Sequence, residues 1–146
     1  MPQFARPNAD ITDGNWLNDA GSAVDLFASI DEVTPSDTDF IESGLAPSSD
    51  AVAMHLSDPE DPQSSTGHII RWRRGKNTSG GAQIDLTTQL RQGYVSEASQ
   101  GTLITSQADN NIPDAFTTTS YTLSGAEADS ITNYADLQLR IVANQV

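Results

Sequence analysis

Cysteine is absent from the 146 residues. Disulfides and thiolate metal sites are therefore excluded, and stability has to come from packing and hydrogen bonds. Long apolar runs are absent too. No stretch approaches the roughly 20 residues of a membrane span. The start, Met1-Pro2-Gln3-Phe4-Ala5-Arg6-Pro7, has no apolar core of signal-peptide length. These two absences lead us to expect a soluble protein made in the cytoplasm. Basic residues are scarce. Seven Lys and Arg against 20 Asp and Glu leave a formal charge of −13. A protein that grips a nucleic-acid backbone neutralises phosphates with Lys and Arg, and anionic membranes select the same cations. The composition argues against both partners. It also favours solubility and works against self-association of the free chain.

What is present is the pattern of β-strands. The length fits one domain, and a domain of this size buries roughly 70% of the surface of its unfolded chain. In Ala82–Leu90 the apolar Ala82, Ile84, Leu86 and Leu90 alternate with Gln83, Asp85, Thr87 and Gln89. That period of two puts one face on a core and the other in water. Leu137, Leu139 and Ile141 alternate in the same way with Asp136, Gln138 and Arg140, as do Val52, Met54 and Leu56 with their neighbours. His68–Arg74 places Ile70 and Trp72 on one face and Arg71 and Arg73 on the other. Phe116–Leu123 is rich in Thr, as strands often are. Weaker strand signals lie near Phe4, at Asp39–Ser43 and at Thr102–Ser106. Ala23–Ile30 reads equally as a helical turn or a strand.

Turn chemistry separates these runs. The glycine-bounded segment Gly75–Gly81 has the composition of a hairpin connection, and Arg91-Gln92-Gly93-Tyr94 is a second turn. Asp58-Pro59-Glu60-Asp61-Pro62 cannot be a strand interior, because proline gives no ladder donor. Ser124-Gly125-Ala126-Glu127 matches a capping box and predicts a short helical turn near 125–131. About eight short strands with turns between them predict a mostly β chain, a single antiparallel β-sandwich or jelly-roll-like domain. There is no internal repeat or low-complexity linker. Residues 1–10 read as an N-terminal arm or first strand, and 11–146 as the sandwich.

Motifs that carry chemistry are few. No G-x-S-x-G elbow is present, nor H-E-x-x-H, nor an EF-hand loop. No glycine-rich loop opens a helix in the phosphate-binding manner. His55 reads as a polar residue on an outer sheet face and His68 as the start of a strand. Asp58, Glu60 and Asp61 read as a solvated loop stiffened by Pro59 and Pro62, and Asp37 and Asp39 belong with them. Asn77-Thr78-Ser79 matches the glycosylation triplet and reads as turn sequence. No catalytic residue, metal or cofactor is expected. Charge, however, is uneven. Four of the seven bases, Arg71, Arg73, Arg74 and Lys76, fall in His68–Lys76, which has no acid. Read one way, this strand faces a partner, with Trp72 as an anchor. Read the other way, its bases pair with the chain's own acids and Trp72 joins Ile70 in the core. Trp16 reads as a cap on the sandwich or as a binding residue.

Several stretches together carry a resemblance. They are Arg6-Pro7-Asn8-Ala9-Asp10-Ile11 with Gly14-Asn15-Trp16, Ile30-Asp31-Glu32 with Asp37-Thr38-Asp39-Phe40-Ile41, Leu56-Ser57-Asp58-Pro59 and Ser65–Arg73. Ser120–Ile131 leading into Tyr134–Arg140 completes the set. The order resembles small β-sandwich proteins of tailed-bacteriophage virions, of the head decoration (cement) type. The resemblance implies a non-enzymatic protein of the outer capsid surface that binds the major capsid protein and clusters as a homo-oligomer about local symmetry axes. Phe4, Arg6, Arg71 and Arg73 are the candidate contacts, with the arm adding to a neighbour as a strand. The rivals are a receptor-binding or carbohydrate-binding tail module, with Trp16, Tyr94 and Tyr134 as an exposed platform, and a head–tail connector or other tail structural protein.

Overall fold

The computed structural model describes residues 2–77 and 81–146. The strands, in chain order, are β1 (Pro7–Thr12), β2 (Leu17–Asn18), β3 (Ile41–Glu42), β4 (Asp50–Leu56), β5 (Ile69–Arg74), β6 (Ile84–Gln92), β7 (Thr102–Asp109), β8 (Thr117–Thr122) and β9 (Leu137–Gln145). One short helix, α1 (Gly125–Asp129), precedes β9. Among the described residues the strands form a five-stranded sheet in the order β1-β4-β9-β6-β7 and two ribbons, β2-β3 and β5-β8. Every pairing is antiparallel. The chain is mostly β and is built as a β-sandwich, with a broad first layer and a second layer made of ribbons and loops.

The period-two patterns decide which face is buried. Cross-strand register aligns Val52 with Ile141, Met54 with Leu139, Leu86 with Ala143 and Leu90 with Leu139. These side chains share one face of the large sheet. Met54 and Val52 are each 1% exposed, and full burial of such a side chain is worth about 1.5–3 kcal/mol. Two apolar clusters cover this face. One gathers Trp16, Leu26, Val52, Met54 and Leu86, with Trp72 packed against it. In the other, Leu90, Leu123, Ile131 and Leu137 meet Ile70 and Tyr121 of the β5-β8 ribbon.

Local chemistry places the pieces at the ends. Ser124 caps α1: its side chain accepts from the Glu127 N–H at 3.3 Å, and the Glu127 carboxylate accepts from the Ser124 N–H at 2.7 Å. The helix is shorter than expected and stops at Asp129, where the Ser130 hydroxyl donates to the Glu127 carbonyl at 2.6 Å. The ambiguous Ala23–Ile30 stretch resolves as one 3-10 turn at Leu26–Ser29. The Asp10 carboxylate of β1 accepts from the N–H groups of Leu26 and Phe27 at 2.7 and 2.8 Å, so an acid on a strand substitutes for a cap.

The hairpin expected across Gly75–Gly81 is not formed. β5 pairs with β8 from Ile69–Thr122 to Arg74–Thr117, while both edges of β6 are occupied, by β7 and by β9. The nine-residue β6 finds a longer apolar partner in β9. Two bases of β5 instead meet acids and threonines: Arg73 contacts Asp37 and Thr118, and Arg74 pairs with Asp109 and donates to the Thr117 carbonyl at 2.9 Å. Thr78, Ser79 and Gly80, which carry part of that connection and of the glycosylation triplet, lie outside the described residues.

Candidate functional site

A cleft of about 1350 Å³ runs along β5. Its floor is the apolar face of the large sheet, where Leu86, Leu90, Leu139 and Ile141 contribute. All of Ile69–Arg74 lines it, followed by Gly75 and Lys76, whereas β8 contributes Thr118 alone. A strand that lines a cleft with every consecutive residue presents its edge to it, since its faces alternate. The chain between Ser29 and Pro47 and the N-terminal arm also line it.

The four sequence candidates converge here: Phe4, Arg6, Arg71 and Arg73 all border this cleft. Their states differ. Phe4 is 62% exposed, and the Arg6 guanidinium lies over its ring at 5.2 Å. The arm is tied down behind them. The Arg6 N–H donates to the Ser57 hydroxyl at 3.0 Å, the Ser57 N–H donates to the Arg6 carbonyl at 2.7 Å, and Gln3 and Glu60 exchange two hydrogen bonds. Arg71 is exposed, and neither it nor Arg6 has a carboxylate partner among the described residues. Arg73 is already engaged. It grips Asp37 through two contacts of 2.5 and 2.7 Å, which holds the Asp37 carboxyl below its ordinary value, and it lies 6.0 Å from the Phe116 ring. Lys76 reaches Asp114 at 3.7 Å. Self-pairing thus accounts for Arg73, Arg74 and Lys76, while Arg71 stays open to a partner.

Three buried polar atoms without a hydrogen-bond partner among the described residues lie on residues of the cleft: Trp72 Nε1, Glu32 Oε1 and His68 Nδ1. Burial raises the Glu32 carboxyl, and its hydrogen bond with Asp39 and the charges of Asp39 and Asp31 add to the effect. Exposed apolar side chains gather at the rim: Val33 is 81% exposed, Leu45 101% and Ile69 49%. Sequence reasoning missed Glu32, Val33 and Leu45. Their signal was present in two apolar residues stranded in a stretch rich in Pro, Ser and acids, with no periodicity to bury them.

The opposite face of the large sheet carries a polar network under residues 93–101. Tyr94 is 1% exposed. Its hydroxyl donates to Glu97 at 2.5 Å, Arg140 donates twice to Glu97 at 2.8 and 2.6 Å, and the Tyr94 N–H donates to Gln138 Oε1 at 2.9 Å. Hydrogen bonding from Arg140 lowers the Glu97 carboxyl. Burial first, then the bond to Glu97, raises the Tyr94 phenol. Burial beside Arg140 lowers Arg91. The network fastens a loop over the sheet. Trp16 is also buried, with its Nε1–H donating to the Asp50 carbonyl at 3.3 Å, so Trp16, Tyr94 and Tyr134 do not form an exposed platform. His55 is exposed on the outer sheet face, and His68 Nε2 contacts the Tyr134 hydroxyl at 2.7 Å.

No family model matches the chain, no curated protein matches it, and no solved structure matches it.

Proposed function

We propose that the protein is a structural component of a tailed-phage virion, a decoration protein that sits on the outer capsid surface and holds neighbouring capsid subunits together. The observation that carries the reading is the convergence of Phe4, Arg6, Arg71 and Arg73 on one cleft of an otherwise acidic β-sandwich. An apolar-rimmed groove of this size has the character of a protein-binding surface. Two cations, Arg6 and Arg71, that have no acidic partner among the described residues mark it on a body of net charge −13, which gives docking a direction. The rest of the acidic surface faces solvent and keeps decorated particles apart.

The test uses particles lacking the protein. Adding the purified protein back raises their resistance to heat-driven DNA release. A double variant, Phe4→Ala with Arg71→Glu, binds them weakly and restores little. Particles equally heat-resistant with and without the protein would contradict a clamp.

A further inference from the structure

We propose that the cleft beside β5 is a vacant strand position, which accepts an extended, apolar, acid-bearing segment of a partner polypeptide as an added strand. The inference rests on the reading above only for which partner supplies the segment.

The second layer stops where the cleft begins. β5 is hydrogen-bonded along one edge, to β8, and among the described residues no strand pairs with its other edge, which leaves that edge a row of backbone donors and acceptors. The cleft follows that edge for the whole strand. Six residues of β5 span roughly 20 Å, the length of one ordinary strand. The volume of about 1350 Å³ exceeds the roughly 300–1,000 Å³ of small-molecule sites. An added strand would lay alternate side chains on Leu86, Leu139 and Ile141 of the floor and turn the others toward the rim. Main-chain bonds would supply affinity and the floor would select apolar side chains.

Charge selects the rest of the occupant. Arg71 on β5 and Arg6 on the arm both line the cleft, and neither has an acidic partner among the described residues, so an acid at a rim-facing position is favoured. A second copy is a poor occupant. Two chains of −13 repel. The chain's own arm, Pro2-Gln3-Phe4-Ala5-Arg6, carries a base and no acid, and it is already bonded to Ser57 and Glu60.

The probe is a capped hexapeptide alternating valine with threonine and aspartate, titrated into the full-length protein. Tryptophan fluorescence and amide hydrogen exchange are followed. The expected result is binding that slows exchange across Ile69–Arg74. A proline at the peptide's centre abolishes binding, because it removes a ladder donor, and lysine in place of aspartate weakens it. Arg71→Glu, a change at an exposed position, weakens the aspartate peptide by roughly two- to fivefold and reverses the preference. No binding at millimolar peptide overturns the proposal. So does binding indifferent to proline or to Arg71. Protection of β5 that grows with protein concentration alone assigns the edge to a second copy and overturns the choice of occupant. Peptide binding by a protein absent from particles would sink the virion reading and leave this one standing.

Discussion

Gln138 has no exposed surface, yet it lies on the polar face of β9. It accepts from the Tyr94 N–H and donates to Asp136 at 2.6 Å. Gln138→Leu leaves both groups without this partner under the covering loop, and the expected loss is about 1–3 kcal/mol by urea unfolding. Tyr94→Phe removes one hydroxyl and its bond to Glu97, so a smaller loss of about 1 kcal/mol is expected. Glu127 makes a pH-dependent contribution. The Thr105 hydroxyl, the Ser124 N–H and hydroxyl and the Tyr121 hydroxyl hold its carboxyl down at about 2, from 4.5. A depressed folded-state value means the contribution is complete above about 4.5 and is lost as pH falls toward 2. Glu127→Gln is therefore less stable than the parent at neutral pH, and the gap between their unfolding curves closes below pH 4.5. The capping box was legible in the sequence because Ser124 and Glu127 are three residues apart. Gln138 and Tyr94 were not, because the loop that buries them packs through long-range contacts that no local pattern records.

At the scale of elements, the loop from Gly93 to Gly101 depends on backbone conformations suited to glycine. Gly101 has φ +59, and a Cβ there would run into the Gln92 carbonyl and the Gly93 backbone. Gly101→Ala is expected to cost more than the roughly 1 kcal/mol of positive-φ strain. It should also raise hydrogen exchange across 93–101 before the rest of the sheet opens. An unchanged exchange profile would contradict this role. The strands of the large sheet were readable because alternation and burial agree: Ile84, Leu86 and Leu90 face inward as their period demands. The pairing of β5 was not readable. Period two assigns faces and says nothing about edges, and nearness in sequence suggested β6, where the register with Thr117–Thr122 prevails.

For the whole molecule, the acidic balance and the basic strand were evident from composition, whereas the candidate contacts Phe4, Arg6, Arg71 and Arg73 came with the resemblance. Their meeting at one cleft was legible in neither, since it depends on a second layer too narrow to cover the first. Nor could the sequence divide the bases of His68–Lys76 into those paired with Asp37, Asp109 and Asp114 and Arg71, which has no acidic partner among the described residues. The role proposed for this cleft-bearing acidic sandwich is capsid decoration. The most direct test is the copy number of the chain in purified virions, by quantitative mass spectrometry against the major capsid protein. Decoration about repeated symmetry axes predicts on the order of hundreds of copies per particle. Absence from particles, or about a dozen copies or fewer as at a neck or tail ring, would contradict it.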